Sequence, residues 1–270
     1  MSTIGSSISG DSVDGAAHFR HSGRESDGRT GARMSTKRAV AALFAAVLAM
    51  TGFSAPANAA EADPCHALNA RTVKFPVQGA RHVVFAVASA YGVNTVTVTE
   101  CVREGLRWRT VRTADGRAGT KGFAPPGQKR EGDGRTPTGS YTLTEAFGEG
   151  DPGTALPYRK LHSTGDCWGS TVTDPRYNEY YSGVCGPDDE NLSAIMLSGQ
   201  YQQSVVIDYN RPPDAPVVAG LGSAIFFHIR TSGPTAGCIA VDKPVLVDIM
   251  RTLRPGDRMV MGIAADLFAT

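Results

Sequence analysis

Two residues able to do covalent chemistry sit ten positions apart near the C-terminal end of the sequence: His228 and Cys238, in FFHIRTSGPTAGCIAV (226–241). A thiol becomes a strong nucleophile only as the thiolate. A neighbouring imidazole lowers its pKa and takes its proton, so a Cys–His pair is minimal equipment for acyl transfer through a thioester. The histidine ends one apolar run and the cysteine opens the next, which predicts two strands whose return brings the ring to the sulfur. Gly237, just before the cysteine, offers no side chain to block a substrate and permits unusual backbone angles. Taken alone, this spacing also fits a buried core histidine and a structural cysteine.

What a lone thiol means depends on its compartment. Residues 34–59, MSTKRAVAALFAAVLAMTGFSAPANA, carry Lys37 and Arg38, an apolar run over 39–50 and the small-residue end Ala57-Asn58-Ala59. These are the three parts of a secretory signal peptide. The apolar run is shorter than the roughly 20 residues that span a bilayer, so a cleaved leader is expected, with no lasting membrane span and a secreted, extracellular or cell-wall product. Residues 1–33, rich in Gly, Ser, Asp and Arg, read as disordered or as a mis-assigned segment upstream of a start at Met34.

Cysteines tend to pair in an oxidising compartment, and Cys65, Cys101, Cys167, Cys185 and Cys238 are an odd number. Cys167 and Cys185 share one loop and are expected to pair, leaving Cys65 for Cys101 and Cys238 free. Four cysteines allow three connectivities, among which the sequence does not choose.

The elements that must position these groups are mostly strands. RHVVFAVASAYGVNTVTVTECVREGLRWRTV, from Arg81, reads as a hairpin turning at 91–94 and a further strand through Trp108. Residues 121–147 are a Gly/Pro-punctuated loop feeding a strand at 140–143. Residues 158–191 show no sustained period and read as an elaborated loop rather than a packed element. The acidic run Asp188-Asp189-Glu190 reads as a helix start complementing the macrodipole before NLSAIML. SVVIDY (204–209) and GSAIFFHI (222–229) are core strands by length and composition. One helix is well marked: Asp242 can cap it, Pro244 suits its first turn, and Val245, Leu246, Ile249, Met250 and Leu253 form an apolar stripe. DRMVMG follows as a last strand.

A formal net charge of +1 gives no basic footprint for nucleic acid. No phosphate loop is present. His162, Cys167 and Cys185 fit no zinc-ligand spacing, so neither metal nor cofactor is expected.

At this point the residues resemble the YkuD-type L,D-transpeptidases of bacterial cell walls. The resemblance rests on a histidine at a strand end, a loop, and the turn Thr235-Ala236-Gly237-Cys238. It extends to GDGRTPTGSYTL, to GCIAV followed by a helix, and to RPGDRMVMG, covering roughly residues 81–262. It implies a mostly β, sandwich-like catalytic domain over 81–270, behind an N-terminal extension at 60–80, with one notable helix after the Cys turn. It also implies a monomer acting on peptidoglycan stem peptides in cell-wall biogenesis and cell shape.

In that reading Cys238 is the nucleophile, His228 the base, and the N–H groups of Gly237 and Cys238 the oxyanion donors. Arg230 and Thr235 contact a substrate carboxylate or support the turn, and Trp168, Tyr177 and Asn178 line the cleft. The sequence departs from the family pattern at Ala236, where a second histidine is usual, at Ala240, where Asn or Arg is usual, and in its shorter His-to-Cys spacing. An L,D-carboxypeptidase and a non-catalytic secreted binding module are the alternatives.

Overall fold

A computed structural model describes residues 63–77 and 79–269, all within the unit Pro56–Thr270. The expected upstream segment (1–33) and the expected signal peptide (34–59) lie outside the described residues.

In chain order the elements are helix α1 (Pro64–Ala70), strands β1 (His82–Ala88), β2 (Thr95–Glu104), β3 (Arg107–Arg117) and β4 (Gly139–Gly148), and the short strands β5 (Tyr158–Lys160), β6 (Asp166–Trp168), β7 (Tyr180–Ser182) and β8 (Glu190–Asn191). Helix α2 (Leu192–Leu197), strands β9 (Gln203–Ile207), β10 (Phe226–Ile229) and β11 (Ile239–Val241), helix α3 (Lys243–Thr252), strand β12 (Asp257–Ile263) and the single turn α4 (Ala264–Leu267) complete the chain.

Alternating β-branched and small residues make β1 and β2 a hairpin, as predicted. β3 runs well past Trp108 and pairs with β2 over its whole length. Nine strands form one sheet in the order β12-β1-β2-β3-β11-β10-β9-β4-β5, and β12 also pairs with β4. The sheet therefore closes on itself, which leaves few open edges. The core inside it takes Val84, Leu143, Ile207, Phe227, Ile239 and Met259 from the strands and Leu246, Ile249 and Met250 from α3. The fold is mostly β, as expected, and α3 follows the Cys turn.

α1 is capped by the Asp63 carboxylate, which accepts from Cys65 N–H at 2.9 Å. The Cys65–Cys101 disulfide ties the helix to β2, and it packs with Val83, Phe85 and Val260 in a second core cluster. The segment before residue 81 is therefore built into the fold.

Three expectations are corrected. Residues 158–191 are packed: β6, β7 and β8 form a small sheet, a disulfide joins Cys167 to Cys185, and Trp168 is buried. Their partners lie far away in sequence, which periodicity does not register.

The acidic run does not serve a helix dipole. Asn191 caps α2 through Ala194 N–H. Asp189 instead accepts from Ser170 N–H, Thr171 N–H and the Tyr181 hydroxyl, and these donors hold its carboxyl well below the usual range despite burial.

Asp242 stands at the N-cap of α3 without capping it, because its carboxylate is engaged by Arg230.

Candidate active site

β10 pairs in parallel with β11, so that Phe227 lies opposite Ile239 and His228 opposite Ala240. Continuing the register one step back sets Cys238 beside Phe226. The two-residue period of strands then sends Phe227 and Ile239 into the main core and leaves Phe226, His228 and Cys238 on the opposite face. On that face Phe226 and Cys238 share a third cluster with Phe147, Trp168 and Tyr201. The histidine is thus the diagonal neighbour of the cysteine on one sheet face, and the short loop suffices because the strands it joins are adjacent.

Cys238 is the free cysteine, and it is buried. Phe226 N–H donates to its sulfur at 3.3 Å, and its S–H is donated to the Ala224 carbonyl at 3.3 Å. Burial pushes the thiol pKa up to about 12. The Glu190 charge acts in the same direction, and the Phe226 N–H, the Tyr201 hydroxyl and Lys129 oppose it. His228 is also buried, and burial brings its pKa down to about 4. Its Nδ1 lies 2.9 Å from the Ile229 carbonyl. A carbonyl only accepts, so Nδ1 carries the proton and Nε2 keeps its lone pair. Near neutral pH both members of the pair are uncharged.

The Cys turn is pinned from several sides. Thr235 Oγ1 donates to the Cys238 carbonyl at 2.7 Å and accepts from Gly237 N–H at 3.1 Å. Thr235 also bridges by backbone to Ala118 and Thr120. A Cβ on Gly237 would meet the Arg135 carbonyl at 2.9 Å. Close packing against the Arg135 backbone, rather than an unusual φ, is what requires glycine here, since Gly237 is not among the positive-φ residues.

The remaining predicted residues do not line a cleft. Trp168 is buried edge-on against Phe226 at 5.0 Å, and its indole N–H is donated to Asn178 Oδ1 at 3.0 Å. Asn178 is buried with φ 59. Its amide also donates to the Tyr209 and Asn210 carbonyls and accepts from Ala224 N–H at 3.1 Å. Tyr177 is buried, donating to Glu131 and accepting from Gly222 N–H. Arg230 makes a two-pronged ion pair with Asp242, which occupies the fork a substrate carboxylate would need. Thr235 supports the turn.

Trp168, Tyr177 and Asn178 act beneath the site instead. They hold residues 222–226, including Ala224, whose φ of 51 is costly for a residue with a Cβ and whose carbonyl takes the thiol proton's hydrogen bond.

Sequence reasoning missed Tyr201 and Glu190. The Tyr201 ring lies edge-on to both Phe226 and His228, and its hydroxyl donates to Glu190 Oε2 at 2.9 Å. Tyr201 falls in a turn without periodicity and Glu190 in a charge run, so neither carries a sequence signal. Among the described residues no three His, Cys, Asp or Glu side chains converge as a metal-ligand set.

The family model for the YkuD L,D-transpeptidase catalytic domain matches residues 93–261. Among solved structures, L,D-transpeptidase 1 of Mycobacterium tuberculosis is similar to this chain at 14% identity and a TM-score of 0.30, over 68% of this chain and 63% of that one. This chain thus spans less than two thirds of that protein. No curated protein matches the sequence.

Proposed function

Since this chain belongs to the YkuD family of L,D-transpeptidase catalytic domains, we propose that it is a secreted cysteine acyltransferase that crosslinks peptidoglycan stem peptides. The observation that carries the reading is a free thiol on the same sheet face as a histidine whose Nδ1 is fixed to the Ile229 carbonyl. Two disulfides support an oxidising compartment. No helix among the described residues is long and apolar enough to cross a membrane.

The chemistry starts from a neutral thiol and a neutral imidazole. His228 Nε2 takes the Cys238 proton as the sulfur attacks the carbonyl of a stem residue, so thiolate and imidazolium arise together rather than standing as a preformed ion pair. Gly237 N–H is committed to Thr235, which makes Cys238 N–H the nearer candidate for holding the oxyanion. The imidazolium then gives its proton to the departing D-amino acid, leaving a thioester. The amine of a second stem attacks the thioester carbonyl, an amide forms, and the thiol recovers its proton. Attack by water instead makes the protein an L,D-carboxypeptidase.

A second reading, a non-catalytic wall-binding module, draws on Ala236 and Ala240 and on the burial of both Cys238 and His228.

Mass spectrometry of defined stem peptides incubated with the protein tests these readings. Crosslinked product, together with a covalent adduct on Cys238, is expected from wild type and from neither Cys238→Ala nor, within a factor of about 10², His228→Ala. Hydrolysed stems alone mean the carboxypeptidase, and no turnover means the module. Crosslinking that survives in Cys238→Ala would sink the cysteine mechanism.

A further inference from the structure

We propose that Tyr201, held by Glu190, is a positioning residue for the Cys238–His228 pair: its ring fixes the imidazole, and its hydroxyl is the hydrogen bond that the sulfur gains as it becomes a thiolate. The inference rests on the reading above that Cys238 is the nucleophile.

Tyr201 is 3% exposed. Its ring meets the His228 ring edge-on at 5.2 Å and the Phe226 ring at 5.6 Å, and Phe226 N–H is the donor to the Cys238 sulfur. One side chain therefore braces both the base and the strand residue that holds the nucleophile. The Ile229 carbonyl fixes one edge of the imidazole, and Tyr201 walls one side of it. A ring held in this way keeps Nε2 aimed while its lone pair waits for a proton.

The hydroxyl carries the second part. A phenol has one proton to donate, and at rest it goes to Glu190 Oε2 at 2.9 Å. Tyr201 and Cys238 share one core cluster, both set against Phe226, and the hydroxyl is among the groups that oppose the rise of the thiol pKa on burial. The neutral thiol has no need of it, because its own proton is satisfied by Ala224 and its sulfur by Phe226 N–H. A thiolate has lost that proton and presents a full charge in a buried site, where a further donor stabilises it strongly. When His228 takes the proton, the hydroxyl turns from the carboxylate to the sulfur. In that step the S–H bond of Cys238 breaks and an Nε2–H bond forms on His228, while Tyr201 keeps its own proton and exchanges only a hydrogen bond.

Glu190 opposes the thiolate by its charge and holds the donor away from it, so the pair keeps the thiol quiet until substrate is attacked. The other charged group facing the thiol is Lys129, with Glu131 facing Glu190. Lys129 is itself engaged with Asp133 and the Arg130 carbonyl, and Glu131 with Tyr177 and Ser223.

The test is iodoacetamide alkylation of the full chain, read by mass at Cys238, over about pH 6 to 10, together with stem-peptide kinetics. Tyr201→Phe keeps the ring and removes the hydroxyl. Its alkylation profile should move to higher pH by about one unit, and kcat should fall about tenfold with KM unchanged, the scale of one hydrogen bond to a charged group. Glu190→Gln removes the charge while keeping shape, and its profile should move to lower pH. Opposite shifts from two conservative changes are not the mark of a merely structural role. Profiles that coincide with wild type in both variants, or that move in the same direction, overturn the inference. Because alkylation does not depend on acyl transfer, failure of this inference is separable from failure of the enzymatic reading, which Cys238→Ala reports.

Discussion

Cys238 and His228 are uncharged at rest because both are buried, and burial disfavours the charged form of each. The thiol is held up at about 12 and the imidazole down at about 4. The sequence predicts the partners and the direction of proton transfer, but it also suggests a standing thiolate, which the buried site does not favour. Gly237 shows how tightly the turn is set. A methyl group there would press on the Arg135 carbonyl at 2.9 Å, and backbone yields less readily than a side-chain tip. Gly237→Ala should therefore cost about 1–3 kcal/mol, as other insertions into packed sites do. Urea unfolding midpoints check this, and a variant as stable as wild type would show that the turn and the Arg135 backbone slide apart freely.

At the scale of elements, the stretch from β5 to β8 is the support of the site. Its small sheet buries Trp168 against Phe226 and aims Asn178 at Ala224. The Cys167–Cys185 bridge closes a separation of 18 residues at its base. In the chain-entropy view such a loop is worth about 3 kcal/mol, so the double variant Cys167→Ala, Cys185→Ala should lose about that much in denaturant titrations. Stem-peptide turnover should fall further than global unfolding accounts for, because residues 222–226 lose their prop. Unchanged turnover under fully native conditions would mean that Asn178 and Trp168 hold those residues without the bridge. The periodicity that reveals β2, β10 and α3 is absent here, since the segment is held by hydrogen bonds that Asp189 accepts and that Asn178 both donates and accepts, rather than by an apolar face.

For the whole molecule, Asp208 stands out among the buried carboxylates that the proposed chemistry does not use, because one of its oxygens lacks a partner. Asp208 is fully buried, with Oδ1 met by Thr144 and Arg211 and Oδ2 without a partner. Burial raises its pKa from the ordinary 3.8 to about 7, Arg211 and Thr144 opposing and Asp214 and Glu145 adding. The folded chain therefore holds a proton that the unfolded chain releases. This contribution to stability is fully present below about pH 4 and is lost progressively up to about pH 7. Across that window wild type should lose on the order of 3–4 kcal/mol relative to Asp208→Asn, which does not ionise. Urea titrations of the two proteins at a series of pH values measure the difference. Parallel curves would show that Arg211 compensates the charge in full.

Local chemistry and composition determine much of this protein from the sequence. The strand pattern, the helix after the Cys turn, the odd cysteine count and the resemblance to the YkuD family are legible because each depends on residue type and near-neighbour spacing, whereas the disulfide connectivity is expected there and chosen only by the fold. Pairing across the fold decides the rest. Only the parallel register of β10 and β11 sets His228 and Cys238 on one face. Only the approach of residues 177–178 to 222–224 turns expected cleft residues into buried supports, and only packing sets Tyr201 against Phe226 and His228 with its hydroxyl on Glu190. Hydrogen bonds and ring contacts between residues tens of positions apart leave no period in a sequence, so such partners become visible only once the chain has closed around them.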